Sequence, residues 1–283
     1  MTMLATALWL LAQASPAPEI RTVTITAIDE KGAPIEGLVP EELALAENGV
    51  TREISRLVLE RRPVTVAFLL DTSQAVDSSF RPFLREPVIA FLRGLPEGSL
   101  YSLWTTGDRP SKQVDFTKDA NLAARALDRV SPQGGNTILD AIVEASSQLK
   151  KKEAERSVVV ILTATGPEFS SRERTQVVDS VRNNANLFMA LEVTEGQSDF
   201  QTRGNYDYVL SELTSSTGGF FDRILSFHGV KNALQWMGAD LRGQYLLSYL
   251  TTADAKPRKL EVTVARPGAK IRVGTPPRSR QAK

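Results

Sequence analysis

Few side chains in this sequence combine the type and the spacing that chemistry requires. Asp71 and Ser73 follow directly on the apolar run Val66–Leu70, and Thr137 follows Gly134-Gly135-Asn136 just before a helical stripe. Taken alone, a carboxylate and two hydroxyls at such places cap helices or satisfy loop amides. Catalysis asks for more. His228 is the only histidine of the chain, and its place near the start of the last helical stripe reads as a surface or capping role. No Gly-x-Ser-x-Gly elbow poses a serine beside a base. Gly134-Gly135 lacks the Gly-Lys that completes a phosphate loop. Cysteine is absent, which excludes cysteine nucleophiles, zinc–thiolate sites, disulfides and lipid-modified cysteines. With no nucleophile–base pair and no cofactor fingerprint, the expectation is that the chain is not an enzyme.

Composition narrows the partners. The 283 residues carry a formal net charge of +1, and no aromatic-basic interleaving marks a nucleic-acid surface. The basic stretch Pro276-Pro277-Arg278-Ser279-Arg280 reads as a solvated tail. At the other end, Met3–Leu11 is a short apolar run, followed by the small-x-small pattern Ala12-Gln13-Ala14 and then by Ser15, Pro16 and Pro18. This is the pattern of a secretory signal cleaved after Ala14, too short to span a bilayer. The first residues carry no Lys or Arg, so an uncleaved anchor stays open as an alternative. No later segment has an apolar run long enough to cross a membrane. The expected location is outside the cytoplasm, periplasmic or extracellular.

The elements that must position Asp71, Ser73 and Thr137 follow from periodicity. In residues 20–62, Val23, Ile25 and Ala27 alternate with threonines as in a half-buried strand. Asn48-Gly49 predicts a hairpin between Leu43–Glu47 and a strand near Ile54–Glu60. Residues 63–242 change character. Val64–Leu70 and Val158–Leu162 are apolar runs that suit strands covered on both faces. Between and after them, helical stripes (83–93, 122–130 with Asp119 as N-cap, 138–149, 172–183, 205–216, 230–241) alternate with strands, which argues for a parallel sheet flanked by helices. Trp104 on a strand and Trp236 on a helix read as packing residues. Lys150-Lys151-Lys152 reads as a solvated helix end. Residues 243–275 return to β, and 276–283 form the tail. Neither β segment is long enough to hold a core alone, so the two are expected to pack together into one discontinuous β-sandwich.

Three stretches carry a resemblance. Val66-Ala67-Phe68-Leu69-Leu70-Asp71-Thr72-Ser73 resembles the first strand and metal loop of a von Willebrand factor type A domain. Gly134-Gly135-Asn136-Thr137 resembles its second metal loop, and Val158–Thr163 the strand before the third. The flanks, from Thr24-Ile25-Thr26 to Glu47-Asn48-Gly49 and from Thr217-Gly218-Gly219 through Leu241-Arg242-Gly243-Gln244-Tyr245, resemble the VWFA-related family described mainly from Acidobacteria. The resemblance implies a doubly wound sheet with its site at the carboxyl ends of the first and fourth strands, where open α/β sheets hold ligands. It implies a metal-ion-dependent adhesion site of the form Asp-x-Ser-x-Ser, Thr, Asp, suited to Mg²⁺.

On that pattern Asp71, Ser73 and Thr137 are retained as metal ligands. Ala75 stands where the second Ser belongs. In Thr163-Ala164-Thr165-Gly166, the third-loop Asp is replaced by Ala164 if the strand sets the alignment, or by Thr165 if Gly166 does. A dication that keeps most of its water gains little from such a set, so no cofactor is expected, and Mg²⁺ binding would need Asp77 or Glu168 as a substitute ligand. The crevice formed by Asp71, Ser73, Ala75, Thr137 and Ala164 is then the expected contact with a protein partner of unstated identity. The alternatives are a structural assembly protein with an inactive crevice, and Mg²⁺-dependent binding through a rearranged site.

Overall fold

The computed structural model describes residues 18–184, 186–195, 200–252 and 259–274, without the side chains of residues 200–203. The expected signal at 1–14 and the tail at 276–283 lie outside the described residues. The chain opens with β1 (Pro18–Ile28), β2 (Leu43–Glu47), β3 (Val50–Arg52) and β4 (Ile54–Leu59). An α/β unit follows. It runs β5 (Thr65–Leu70), α1 (Asp77–Ser79), a π-helical turn at Phe80–Leu84, α2 (Arg85–Arg93), β6 (Leu100–Thr105), β7 (Ser111–Thr117) and α3 (Ala120–Asp128). It continues α4 (Ile138–Lys152), β8 (Ser157–Ala164), α5 (Arg174–Val181), β9 (Leu187–Val193), α6 (Phe200–Thr217), β10 (Phe220–Ile224) and α7 (Val230–Arg242). The chain returns to β through β11 (Gln244–Thr252), β12 (Leu260–Val264) and β13 (Lys270–Val273).

The six-stranded central sheet has the order β10-β9-β8-β5-β6-β7, parallel throughout except for β7 at one edge. All six residues of β5 are buried, because side chains of successive residues enter opposite cores. Val66, Phe68 and Leu70 pack under α2, α3 and α7. Ala67 and Leu69 pack under α4, α5 and α6. Burying a Phe68 or Leu70 side chain contributes roughly 1.5–3 kcal/mol each. The strand order reverses at β5, so the loop after it, beginning at Asp71, opens at the switch point beside β8.

Local chemistry sets the element ends. Asp119 Oδ1 accepts from Asn121 N at 2.9 Å and caps α3 as the sequence predicts. Pro87 falls in the first turn of α2, where a missing N–H costs little; the regular helix begins at Arg85, after the π turn. The hairpin at Asn48-Gly49, both with positive φ (51° and 79°), joins β2 to β3 rather than to the strand at Ile54. A two-residue turn of this kind fixes an adjacent partner strand, and the chain then leaves the hairpin at Glu53 to form β4 in another sheet.

Two antiparallel sheets complete the molecule, β13-β1-β11-β4 and β12-β2-β3. Strands from both chain ends contribute to each, and they enclose one core that includes Val23, Ile25, Leu45, Leu247 and Tyr249. The discontinuous sandwich expected from the sequence is therefore present. It is tied to the α/β unit at the end of α7, where Thr26 Oγ1 donates to Asp240 Oδ1 at 3.2 Å and Arg272 pairs with the same carboxylate.

Candidate functional site

Asp71 is fully buried. Its own loop turns back to it, with Ser73 N donating to Oδ1 at 2.8 Å. Oδ2 accepts three further bonds, from Asn136 Nδ2 at 2.8 Å, Ala164 N at 2.9 Å and Thr163 Oγ1 at 3.2 Å. Burial pushes the carboxyl above its ordinary range, and the bonds from Ala164 N and Ser73 N work in the opposite direction. Both oxygens are thus engaged by the protein itself.

Asn136 is the residue that the sequence reading passed over. It too is fully buried. Its Nδ2 reaches Asp71 and also Thr163 Oγ1 at 2.8 Å, while its Oδ1 accepts from Thr106 Oγ1 at 2.7 Å. Its backbone is held on both sides, with Asn136 N donating to Pro167 O and Phe169 N donating to Asn136 O. One carboxamide therefore ties the second loop to the first, to the third and to the loop after β6. The preceding Gly134 permits this approach: it has φ +67°, and a Cβ there would meet the Asp108 carboxylate. The local sequence offered only that an Asn in a glycine-led loop can donate an amide N–H; its partner Asp71 is 65 residues away. The contacts with Thr163 and Thr106 carry no local pattern.

The other expected residues divide. Ser73 and Ala164 lie with Asp71, one offering its backbone N–H to Oδ1 and the other to Oδ2. Ser73 Oγ is buried with no hydrogen-bond partner among the described residues. Ala75 turns its methyl toward the third loop, where a Cβ on Gly166 would come within 2.7 Å of it. Ala164 belongs to the apolar core beneath α2 and α7. Thr137 is turned elsewhere: its Oγ1 donates to Thr106 O at 2.8 Å, and no bond joins it to Asp71. The second-loop side chain that reaches Asp71 is that of Asn136, one residue before Thr137. Nor does the Thr137 hydroxyl cap α4; Ser170 Oγ, from the third loop, accepts from Leu139 N and Asp140 N at 3.1 and 3.3 Å instead.

The donor set does not fit a hard dication. Mg²⁺ needs near-octahedral oxygen ligands and negative charge to offset its own. Asp71 is the one carboxylate of the network, and Asn136 turns an N–H toward it. Glu168 Oε1 is used by Ser170 N at 2.8 Å, and Asp77 is exposed at the start of α1. Among the described residues no group of three or more His, Cys, Asp or Glu side chains converges. Near Asp71, Ser73 Oγ and Tyr206 Oη are enclosed oxygens left without a hydrogen bond among the described residues. A second buried carboxylate lies apart from this network: Glu192 on β9, pushed up by burial, receives Arg223 Nε at 2.9 Å and Thr165 Oγ1 at 3.3 Å.

Above the network the loops form a crest. Phe169 is 65% exposed there, and its ring lies over Gly135, where a Cβ would meet it at 2.3 Å. Leu225, in the loop after β10, is 81% exposed. Among the described residues no helix is long and apolar enough to cross a membrane.

Residues 66–166 match the family profile of the von Willebrand factor type A domain. No curated protein sequence matches the chain. Solved structures do. A von Willebrand factor type A protein from Catenulispora acidiphila aligns with a TM-score of 0.54 at 10% identity, over 92% of this chain and 73% of that one. Proximal thread matrix protein 1 from the mussel byssus, in a form with a zinc-occupied MIDAS motif, aligns with a TM-score of 0.54 at 17% identity, over 70% of this chain. The aligned region spans half the length of the mussel protein. At these identities the likeness is one of fold: the α/β unit is von Willebrand factor A-like, with two antiparallel sheets added.

Proposed function

We propose that this chain is a non-enzymatic protein-interaction module, exported from the cytoplasm, that engages its partner through the crest above β5 and β8 without a divalent cation. One observation carries the reading: both oxygens of Asp71 are taken by internal donors, the Asn136 carboxamide among them, and the Thr137 hydroxyl donates to Thr106 O rather than facing Asp71. Export is supported by the apolar run Met3–Leu11 and Ala12-Gln13-Ala14. The flanking motifs from Thr24 to Gly49 and from Thr217 to Leu247 support membership of the VWFA-related family described mainly from Acidobacteria. With the cation gone, the crest's own side chains must supply the contact. Phe169 has the exposure and the aromatic area of an interface anchor.

The test is affinity capture from native extract by the full chain, in millimolar Mg²⁺ and in excess chelator, with Phe169→Ala alongside. The same partner is expected in both conditions and is expected to be lost with the variant. Capture that disappears in chelator would refute a cation-free contact. A second reading, structural assembly through the sandwich, draws on Ile20 (65% exposed) and Val58 (38% exposed) on the four-stranded sheet. It is favoured if capture survives Phe169→Ala and is lost with Ile20→Lys.

A further inference from the structure

On the face of the α/β unit that carries α2 and α7, away from Asp71, a groove of about 540 Å³ runs between these two helices. The helices lie side by side in the same direction. Phe83 stands against His228 at one end, with ring centroids 4.3 Å apart, and Arg242 Nη1 donates to Gly94 O at the other, at 3.0 Å. From Phe83 to Gly94 this is roughly 15 Å of helix length. The volume falls within the range of small-molecule pockets, about 300–1,000 Å³.

The lining has two characters. Phe83, Phe91, Phe227 and Leu234 make an apolar wall. Gly238 leaves the middle open, since a Cβ there would project toward Arg242 Nη1 at 3.3 Å and Phe91 at 3.8 Å. Lys231 and Arg242 supply the charge, and neither has a carboxylate within salt-bridge reach among the described residues. Glu86, the acidic residue of the lining, is paired with Arg85, which also holds Asp128. The Lys231 end also holds the first turn of α7, where the helix dipole adds positive potential.

We infer that this groove binds a small organic anion with a hydrocarbon body, a medium-chain carboxylate in chemical class, with the carboxylate at Lys231 and the tail laid along Phe83, Phe91 and Leu234 toward Gly238. An apolar channel with two cations that no described carboxylate pairs complements an amphipathic anion in shape and in charge. The inference is independent of the crest, because it uses none of the residues around Asp71.

The test is isothermal titration of the full chain with octanoate, with 1-octanol as the neutral counterpart. Saturable one-to-one binding of octanoate is expected, weakening with added salt and tighter than that of the alcohol. Lys231→Glu, an exposed change that leaves the core intact, is expected to weaken octanoate about tenfold, the scale of reversing one partner of an exposed ion pair, and to leave 1-octanol unchanged. Gly238→Leu, which fills the groove, is expected to abolish binding of both. No saturable octanoate binding overturns the proposal. So does octanoate binding indifferent to Lys231→Glu, and so does equal affinity for acid and alcohol. A concentration-dependent dimer that Gly238→Leu disperses, with no octanoate bound, would give the groove to a second copy of the chain and likewise overturn it.

Discussion

The crevice at Asp71 and the groove between α2 and α7 are opposites. The first holds a buried carboxylate surrounded by donors, so that almost every polar atom has a partner from the chain itself. The second is apolar and open, with two cations that the described residues leave unpaired by carboxylates. A closed polar network in low dielectric fixes geometry, and its cost when broken is high. An open groove contributes little to stability and leaves its surface for something else. The conspicuous motif of the sequence thus marks a place where the fold is locked, while the groove, which no motif marks, is the place left open.

The largest test of this contrast is Asn136→Ala. It removes two donor contacts from one amide and leaves Asp71, Thr163 and Thr106 short of partners inside a buried network. A buried carboxylate deprived of a donor is expected to cost about 3 kcal/mol, read by denaturant unfolding. Lys231→Ala, on the rim of the groove, is expected to stay within about 0.5 kcal/mol. If the two losses are similar, the crevice is not the locked element.

Asn136→Asp probes the same site with the opposite sign. A second carboxylate within hydrogen-bond distance of Asp71 brings two like charges together, and they cannot both ionise cheaply. The variant should be less stable than the parent at neutral pH and regain part of the loss in acid. It should also respond to Mg²⁺, because the two carboxylates and the unpartnered Ser73 Oγ would then supply charge and oxygen together. A site held at about 100 times its dissociation constant would add roughly 2.7 kcal/mol, enough to move the melting temperature by several degrees. The parent is expected to show no such rise in millimolar Mg²⁺. Restoring the ligands named from the sequence is a weaker route, because Ala164→Asp would place a carboxylate in an apolar core. A rise in the unsubstituted protein that Asp71→Ala abolishes would restore a working cation site.

How far the sequence could be read follows from the range of the interactions. The sheet was legible because β5 and β8 are apolar without interruption, and only strands covered on both faces look like that. The sandwich was legible because alternation in each β segment needs a facing layer. The hairpin partner was misplaced because Val50–Arg52 is three residues long and mostly exposed, too short to show a period. At the site, Asp71 stood out because it ends a buried strand. Asn136 did not, because its worth lies in Thr106, Asp71 and Thr163, residues 27 to 65 positions away. The groove was invisible for the same reason: its walls come from two helices more than a hundred residues apart in the chain.

The smallest expected effect is also the sharpest on the identity of the second-loop residue. Thr137 is nearly buried, and its hydroxyl donates to Thr106 O. That carbonyl also accepts from Thr137 N at 2.8 Å, so it keeps a partner when the hydroxyl is removed. Thr137→Val has nearly the same shape and leaves no buried acceptor empty. The expected cost is about 0.5–1 kcal/mol, the net worth of one neutral hydrogen bond. The comparison with Asn136→Ala at about 3 kcal/mol then separates two neighbours in one loop by what they hold rather than by how deeply they are buried. Placed in the Asn136→Asp background, the same change decides between them as ligands. If the acquired Mg²⁺ response survives Thr137→Val, the cation reads position 136 and the second-loop contact lies where the structure puts it. If the response vanishes while the variant still folds, the hydroxyl of Thr137 turns inward on metal binding, and the position read from the sequence is the working one.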